Sequence, residues 1–206
     1  MKTSKSKPAG QSRPHSVRLA DFLFEAGLLK TVGRTGWDTV RAPRESVAEH
    51  SFRTAMVGWV LARMAGLSAS DEALLIKTCL FHDLHEARIG DLHRLAKLYG
   101  KLDEKKCEKD QREGLPKEMK EDLEQALERL PAHIRVFAHE ADKIECAITA
   151  KEYLDAGYRT KKWIEHTKKE AVKSKEGKAL LSAILSRDSS AWFLEDSGWN
   201  KGKKKD

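Results

Sequence analysis

Between the two ends of the chain, apolar residues recur at helical intervals, and no sustained stretch alternates apolar and polar side chains as a half-buried strand would. The pattern predicts an all-α protein. A first helix spans roughly Val17 to Leu29, and the "KTVGRTGWDTVRAPRES" that follows carries glycines and a proline that demand an irregular connection, long enough to serve a site. Ser46 and Glu49 then form a capping-box pattern opening a helix that runs to about Ala65. Val47, Phe52, Ala55, Met56, Val57, Trp59, Val60, Leu61 and Met64 surround most of its circumference, which predicts a central, buried helix.

The next helix is read as capped by Ser70, with Asp71 and Glu72 in its first turn, where the helix dipole favours acids. Leu75, Ile76 and Cys79 give it an inward face. Gly90 loosens the pattern, and "KLDEKKCEKDQREGLP" reads as an exposed linker. Pro116 and Pro131 suit first helical positions; the second opens a long helix, about Ala132 to Asp155, followed by two shorter ones within Arg159 to Arg187. No internal repeat is found.

Two polar intrusions break this apolar scheme. His50 shares a stripe with Val57 and Leu61 and therefore points inward, while His82 and Asp83 sit where the core face of the third helix should continue. Adjacent helical residues diverge by about 100°, so His82 and Asp83 reach one ion only from a helix end or flank. His50 from a neighbouring helix and one carboxylate from the long helix would complete a mixed nitrogen and oxygen set suited to Mn, Co, Ni, Fe or Zn, among which ligand type alone does not choose. A lone inward histidine is ordinarily a hydrogen-bonded core residue, so spacing by itself does not settle the matter. On the long helix Asp142 has the small residues Ala138 and Cys146 on its face, leaving room for an ion, but Glu140 and Glu145 compete with it by composition.

At 206 residues, 40% hydrophobic and 34% charged, the chain suits one soluble domain. No apolar run approaches the roughly 18 residues of a membrane span, and "MKTSKSKPAGQSRPHS" lacks the apolar stretch of a signal peptide, which points to the cytoplasm and away from membranes. Cys79, Cys107 and Cys146 lie far apart without a CxxC pair and read as free thiols. The net charge of +7 is carried by the ends: Lys2, Lys5, Lys7 and Arg13 at one, Lys201, Lys203, Lys204 and Lys205 against Asp206 at the other. The expected organisation is a disordered basic arm over 1–16, one domain over 17–188, and a C-terminal extension with a basic tail over 189–206. Trp192, Phe193 and Trp199 of that extension would cover the core or a partner. The tails suit weak, salt-sensitive polyanion binding and do not form a reading surface.

"GRTGW", "RESVAEHSFRTAMV", "FHDLHEARIGD" and "ADKIECAI" occur in the order found in HD-domain metal-dependent phosphohydrolases, and they most resemble the branch containing 5'-deoxynucleotidases. The likeness covers roughly Leu19 to Tyr158. It implies an all-α HD-domain helical bundle, a homodimer, and one divalent ion held by His50, His82, Asp83 and Asp142, with Asp83 and Asp142 also near the substrate. Arg34 resembles the arginine that orients the substrate phosphate, a role its planar fork suits. Trp37 resembles the aromatic residue beside the sugar, where it would disfavour a 2'-hydroxyl; read from the residue alone, it is equally a buried loop anchor. Glu86 lies four residues beyond His82 and three beyond Asp83, hence on their face, where it could orient or deprotonate a water; a surface ion pair is its ordinary alternative. Asp91 matches a second acidic position, for a general acid or a sugar-hydroxyl contact.

The implied reaction is removal of the 5'-phosphate from deoxyribonucleoside or ribonucleoside monophosphates. "LHRLAKLYG" after Asp91 lacks the proline-containing continuation of close deoxynucleotidases, which leaves nucleotide identity open. His85 and His93 read as solvated residues. One rival is an HD phosphohydrolase acting on another phosphate ester or a nucleoside polyphosphate; the absence of a second ligand cluster disfavours a binuclear phosphodiesterase. Another is a metal-containing nucleotide- or RNA-binding protein with weak catalysis. Glu86, Arg34 and Asp91 argue against it, since a purely structural ion does not need them.

Overall fold

The computed structural model describes residues 14–197. The basic arm before residue 14 and the end after residue 197, including Trp199 and the lysine-rich tail, lie outside the described residues. Helix α1 (His15–Gly27) leads into the irregular segment, and α2 (Val47–Ala65) opens on the capping box read from the sequence. The Ser46 hydroxyl accepts from the Glu49 N–H at 3.2 Å, and the Glu49 carboxylate accepts from the Ser46 N–H at 2.7 Å. Helices α3 (Ala69–Phe81), α4 (Glu86–Ile89), α5 (Glu104–Arg112), α6 (Lys117–Leu127), α7 (Ala132–Asp155), α8 (Lys161–His166), α9 (Lys175–Ser186) and α10 (Ala191–Asp196) follow, with a π-helical turn at Thr167–Ala171. The architecture is all-α, as the periodicity predicts.

The main core lies where α2, α3 and α7 meet. Val57, Leu61 and Ala62 pack with Leu75 and Cys79 and with Ile134, Ala141, Ile144 and Ala147. Gly58 lets α2 and α3 approach closely: a Cβ there would stand 2.8 Å from the Cys79 sulfur. A second cluster, Leu29, Val47 and Leu84, fastens the end of the first helical segment beneath the start of α2, and a third gathers Trp37, Ala150 and Ile164.

Several sequence expectations need correction. Helix α2 is buried on one face only: Phe52 is 65% exposed, and Met56, Trp59 and Met64 are also exposed, because α3 and α7 cover a single side of it. The cap of α3 is Ser68 rather than Ser70, since it is the Ser68 hydroxyl that accepts the Asp71 N–H, at 3.1 Å. The supposed linker contains α5, capped by Asp103, with Cys107, Gln111 and Arg112 buried. Its charge density hid a narrow inward face, through which the Gln111 amide donates to the Leu84 carbonyl at 3.0 Å and to Glu25 at 2.7 Å. Pro116 and Pro131 each stand one position before the first helical residue. Among the described residues, no helix is long and apolar enough to cross a membrane.

Candidate metal centre

The inward stripe of α2 carries His50 to the wall shared with α7, and α3 ends by turning His82 and Asp83 toward the same point. His50 Nε2 lies 3.3 Å from His82 Nε2, 3.6 Å from Asp83 Oδ2 and 3.4 Å from Asp142 Oδ1, while His82 Nε2 is 3.2 Å from Asp83 Oδ2. Bonds of about 2.0–2.2 Å to a single ion separate neighbouring donors by roughly 3.0–3.5 Å. These spacings fit one cation held by His50, His82 and Asp83 with Asp142 beside them; Asp83 also groups with His85 and Glu86, a second potential ligand set not expected from the sequence.

The outer nitrogens are committed elsewhere. His82 Nδ1 lies 2.8 Å from the Cys79 carbonyl, and His50 Nδ1 is paired with the Glu145 carboxylate. With those Nδ1–H groups donating outward, both Nε2 lone pairs face the cluster, an arrangement typical of metal-binding imidazoles. Electrostatics agree. Burial alone would lower the pKa of His50, but hydrogen bonding with Asp142 and Glu145 overrides it and raises the value to about 9. Burial likewise opposes charge on His82, yet Asp83 raises its pKa, and the imidazoles in turn hold Asp83 and Asp142 well below the usual carboxylate range against their own burial. In the metal-free protein, protons on the rings balance the acids as a cation would.

The carboxylates that rivalled Asp142 in sequence have other work. Glu140 accepts from the backbone N–H groups of Lys173 and Ser174 at 2.8 and 2.7 Å, at the start of α9. Glu145 stands behind His50 and also accepts from Arg53 Nε at 3.0 Å and the Thr149 hydroxyl at 3.0 Å. Arg53 continues to Glu152 at 2.8 Å and to the Thr149 hydroxyl, and Thr149 lies 3.0 Å from a Glu45 oxygen. Sequence reasoning missed this support for His50. Its signal was present: Arg53 follows His50 by three residues, within the same quoted motif.

The other sequence candidates gather around the cluster. Pairing of Gly33 with Ser46, and an Arg34 N–H bond to the Glu45 carbonyl at 2.8 Å, fix the backbone of Arg34; its Nη1 then reaches Asp83 Oδ2 at 3.3 Å. Glu86 is buried, with Oε2 lacking a hydrogen-bond partner, and burial together with the Asp83 and Asp91 charges pushes its pKa up to about 8. Gly90, at φ 74°, takes a conformation that suits glycine and turns the chain so that Asp91 Oδ2 meets the Thr35 N–H at 2.6 Å. Trp37 is 2% exposed, donates from Nε1 to Glu45 Oε2 at 2.8 Å and meets Tyr153 edge-on, so the anchor reading holds while the ring still borders the cleft. His85 is buried beside Glu108, not solvated, because α5 covers it; His93 is half-buried, its Nδ1 accepting the Ala96 N–H at 3.1 Å.

The cluster opens through Asp83 and Asp142 onto a cleft of about 620 Å³, bordered also by Arg34, Trp37, Glu86 and Asp91, with Arg94, Lys97 and Lys143 adding positive charge. Fold and site agree with the comparisons. The HD domain family matches residues 26–184, and the chain belongs to that family. A 77-residue segment is 39% identical to 5'-deoxynucleotidase HDDC2 of Dictyostelium discoideum, covering 34% of this chain and 40% of that protein. The Homo sapiens 5'-deoxynucleotidase HDDC2 is 28% identical over 158 residues, 70% of this chain and 73% of that protein. The solved structure of a conserved hypothetical protein from Pyrococcus furiosus superposes with a TM-score of 0.64 at 27% identity, covering 82% of this chain and 99% of that one. Family, relatives and donor cluster together support a metal-dependent hydrolase of the HD phosphohydrolase class.

Proposed function

We propose that this protein removes the 5'-phosphate from nucleoside monophosphates, with deoxyribonucleotides preferred. The observation that carries the reading is that the His50, His82, Asp83 and Asp142 donor set reaches, through Asp83 and Asp142, a cleft that is also lined by a phosphate-compatible guanidinium and two further acids. His50, His82, Asp83 and Asp142 would hold one divalent ion, which supplies Lewis-acid activation of water and of the phosphoryl group. The nucleotidase names of the relatives support the substrate class.

Charge balance favours a monoester. Arg34, Arg94, Lys97 and Lys143 face Asp83, Asp91, Asp142 and the largely protonated Glu86 around the cleft, so a divalent ion leaves a positive excess suited to the dianion of a phosphomonoester. Arg34 aligns the phosphoryl oxygens and stabilises charge growing on them during in-line attack. Glu86, its pKa raised to about 8 in the metal-free protein, exchanges a proton with the attacking water, and Asp91 attends the leaving 5'-oxygen. Trp37 is held rigid by Glu45 and Tyr153, and a fixed wall of that kind suits exclusion of a 2'-hydroxyl better than a mobile side chain would.

The test is to strip metal from the purified protein, add back Mn, Co, Ni, Mg or Zn, and follow phosphate release from matched deoxyribonucleoside and ribonucleoside 5'-monophosphates. Metal-dependent release favouring the deoxy series, and absent in Asp83→Ala, is expected. Release from neither series with any of the metals refutes the nucleotidase reading.

A further inference from the structure

Thr35 lies inside the "GRTGW" motif, between the arginine and the tryptophan, and has no part in the scheme above. It makes four polar contacts with the segment that carries Asp91. Its N–H donates to Asp91 Oδ2 at 2.6 Å, and its hydroxyl lies 3.0 Å from the same oxygen and 3.2 Å from the Asp91 carbonyl. The hydroxyl also accepts the His93 N–H, at 3.0 Å. One hydroxyl has one proton to give and two lone pairs to offer, so Thr35 donates to Asp91 while accepting from His93. No other described residue is given a hydrogen bond to the Asp91 carboxylate.

We infer that Thr35 is a positioning residue for the reaction: it fixes the direction of the Asp91 carboxylate and ties the Leu92–Leu98 side of the cleft to the loop that presents Arg34. This inference rests on the phosphomonoesterase reading above. The Arg34 backbone is held independently by the Glu45 carbonyl at 2.8 Å, and its side chain by Asp83 at 3.3 Å. Losing the Thr35 hydroxyl should therefore disturb Asp91 far more than the phosphate clamp. Because the N–H bond to Asp91 survives in any variant, the fault is one of aim, leaving Asp91 free to swing about a single remaining contact. Aim matters most where a proton must move along a short, directed path, so the loss falls on kcat, with substrate binding little changed.

Thr35→Val keeps the branched shape and removes the hydroxyl; Thr35→Ser keeps the hydroxyl. In the metal-loaded protein, Thr35→Val is expected to lower kcat by about tenfold to a hundredfold while KM stays within about threefold. Thr35→Ser should recover most of the rate, and melting temperature and metal content should match wild type in both. Thr39→Val, which removes a hydroxyl bonded only to the Gly36 carbonyl of its own loop, should be silent. In an Asp91→Asn background the Thr35 change should add little, as expected of two residues acting through one interaction.

Amide hydrogen exchange without substrate supplies a readout independent of turnover: Thr35→Val should speed exchange at His93, and Thr35→Ser should not. An active wild type with unchanged kcat in Thr35→Val, a loss that serine fails to recover, or unaltered exchange at His93 would overturn the positioning role alone. A wild-type chain inert on every nucleotide would overturn the nucleotidase reading and the catalytic positioning with it.

Discussion

Glu86 and His50 are the two residues whose chemistry departs most usefully from that of ordinary side chains, and both give the metal-free protein a pH dependence of known sign. Each binds a proton more tightly when folded: Glu86 near pH 8 against an ordinary 4.5, His50 near 9 against 6.5. A raised folded-state value contributes stability that is complete below the unfolded value and is lost as pH climbs through the folded one. The metal-free protein should therefore melt at progressively lower temperature from pH 5 to pH 9. Glu86→Gln removes one of these contributions, so its melting temperature should decline less across that interval, with the gap from wild type widest above pH 8. Parallel melting curves in the two proteins would show that Glu86 titrates normally. A metal must also displace the His50 proton, so apparent metal affinity should rise between pH 6.5 and 9.

At the scale of elements, the site is the meeting of α2 and α7, held by a polar seam running from His50 through Glu145, Arg53 and Thr149 to Glu45 and Trp37. Glu145→Gln keeps the shape of that seam but removes the charge behind His50. Metal affinity, read by competition with a chelating dye, should fall by about 10–100-fold, a typical cost for changing the group that orients a ligating imidazole. Undiminished affinity would mean that the Cys79 carbonyl behind His82, with Asp83 and Asp142, suffices.

Much of this level was legible in sequence. The capping box, the bounds of α7 and the inward aim of His50 all follow from local pattern, because each depends on neighbours a few residues away. The exposed face of α2 and the burial of α5 were not legible, since composition shows how apolar or charged a helix is, not which neighbour covers it. The candidate site divides the same way. His82 and Asp83 announce themselves as polar residues on a core face, whereas choosing Asp142 over Glu140 and Glu145 depends on contacts with residues as distant as Ser174 and His50.

For the whole molecule, one cleft gathers residues from the loop before α2, the turns around α4, the middle of α7 and the end of α8. Segments far apart in sequence must be in place together before the donor set exists, so metal binding and folding are coupled. Saturating ion, at about a hundred times its dissociation constant, should stabilise the folded state by about 2.7 kcal/mol. Calorimetry should show a melting temperature that climbs with metal concentration in wild type and stays flat in Asp83→Ala. An equal rise in both would place the stabilising ion elsewhere.

The bond between Glu140 and the start of α9 sets a lower limit on how short this protein can be made. Glu140 is 1% exposed, and its carboxylate is satisfied by the Lys173 and Ser174 backbone and the Ser174 hydroxyl, all more than thirty residues downstream. A chain trimmed to the segment bearing the recognisable motifs, ending near Tyr158, would retain every proposed metal ligand and yet lose Val172 and Leu181 from the main core together with the backbone N–H groups that hold Glu140, two residues from Asp142. Stripping two buried aliphatic side chains from the core costs several kcal/mol, a large part of what holds a small domain together. Ending the chain after Ser186 should preserve cooperative unfolding, while ending it at Val172 should abolish it. The helices beyond the last motif are thus required scaffolding, and the boundary of the working unit lies past the boundary of the readable one.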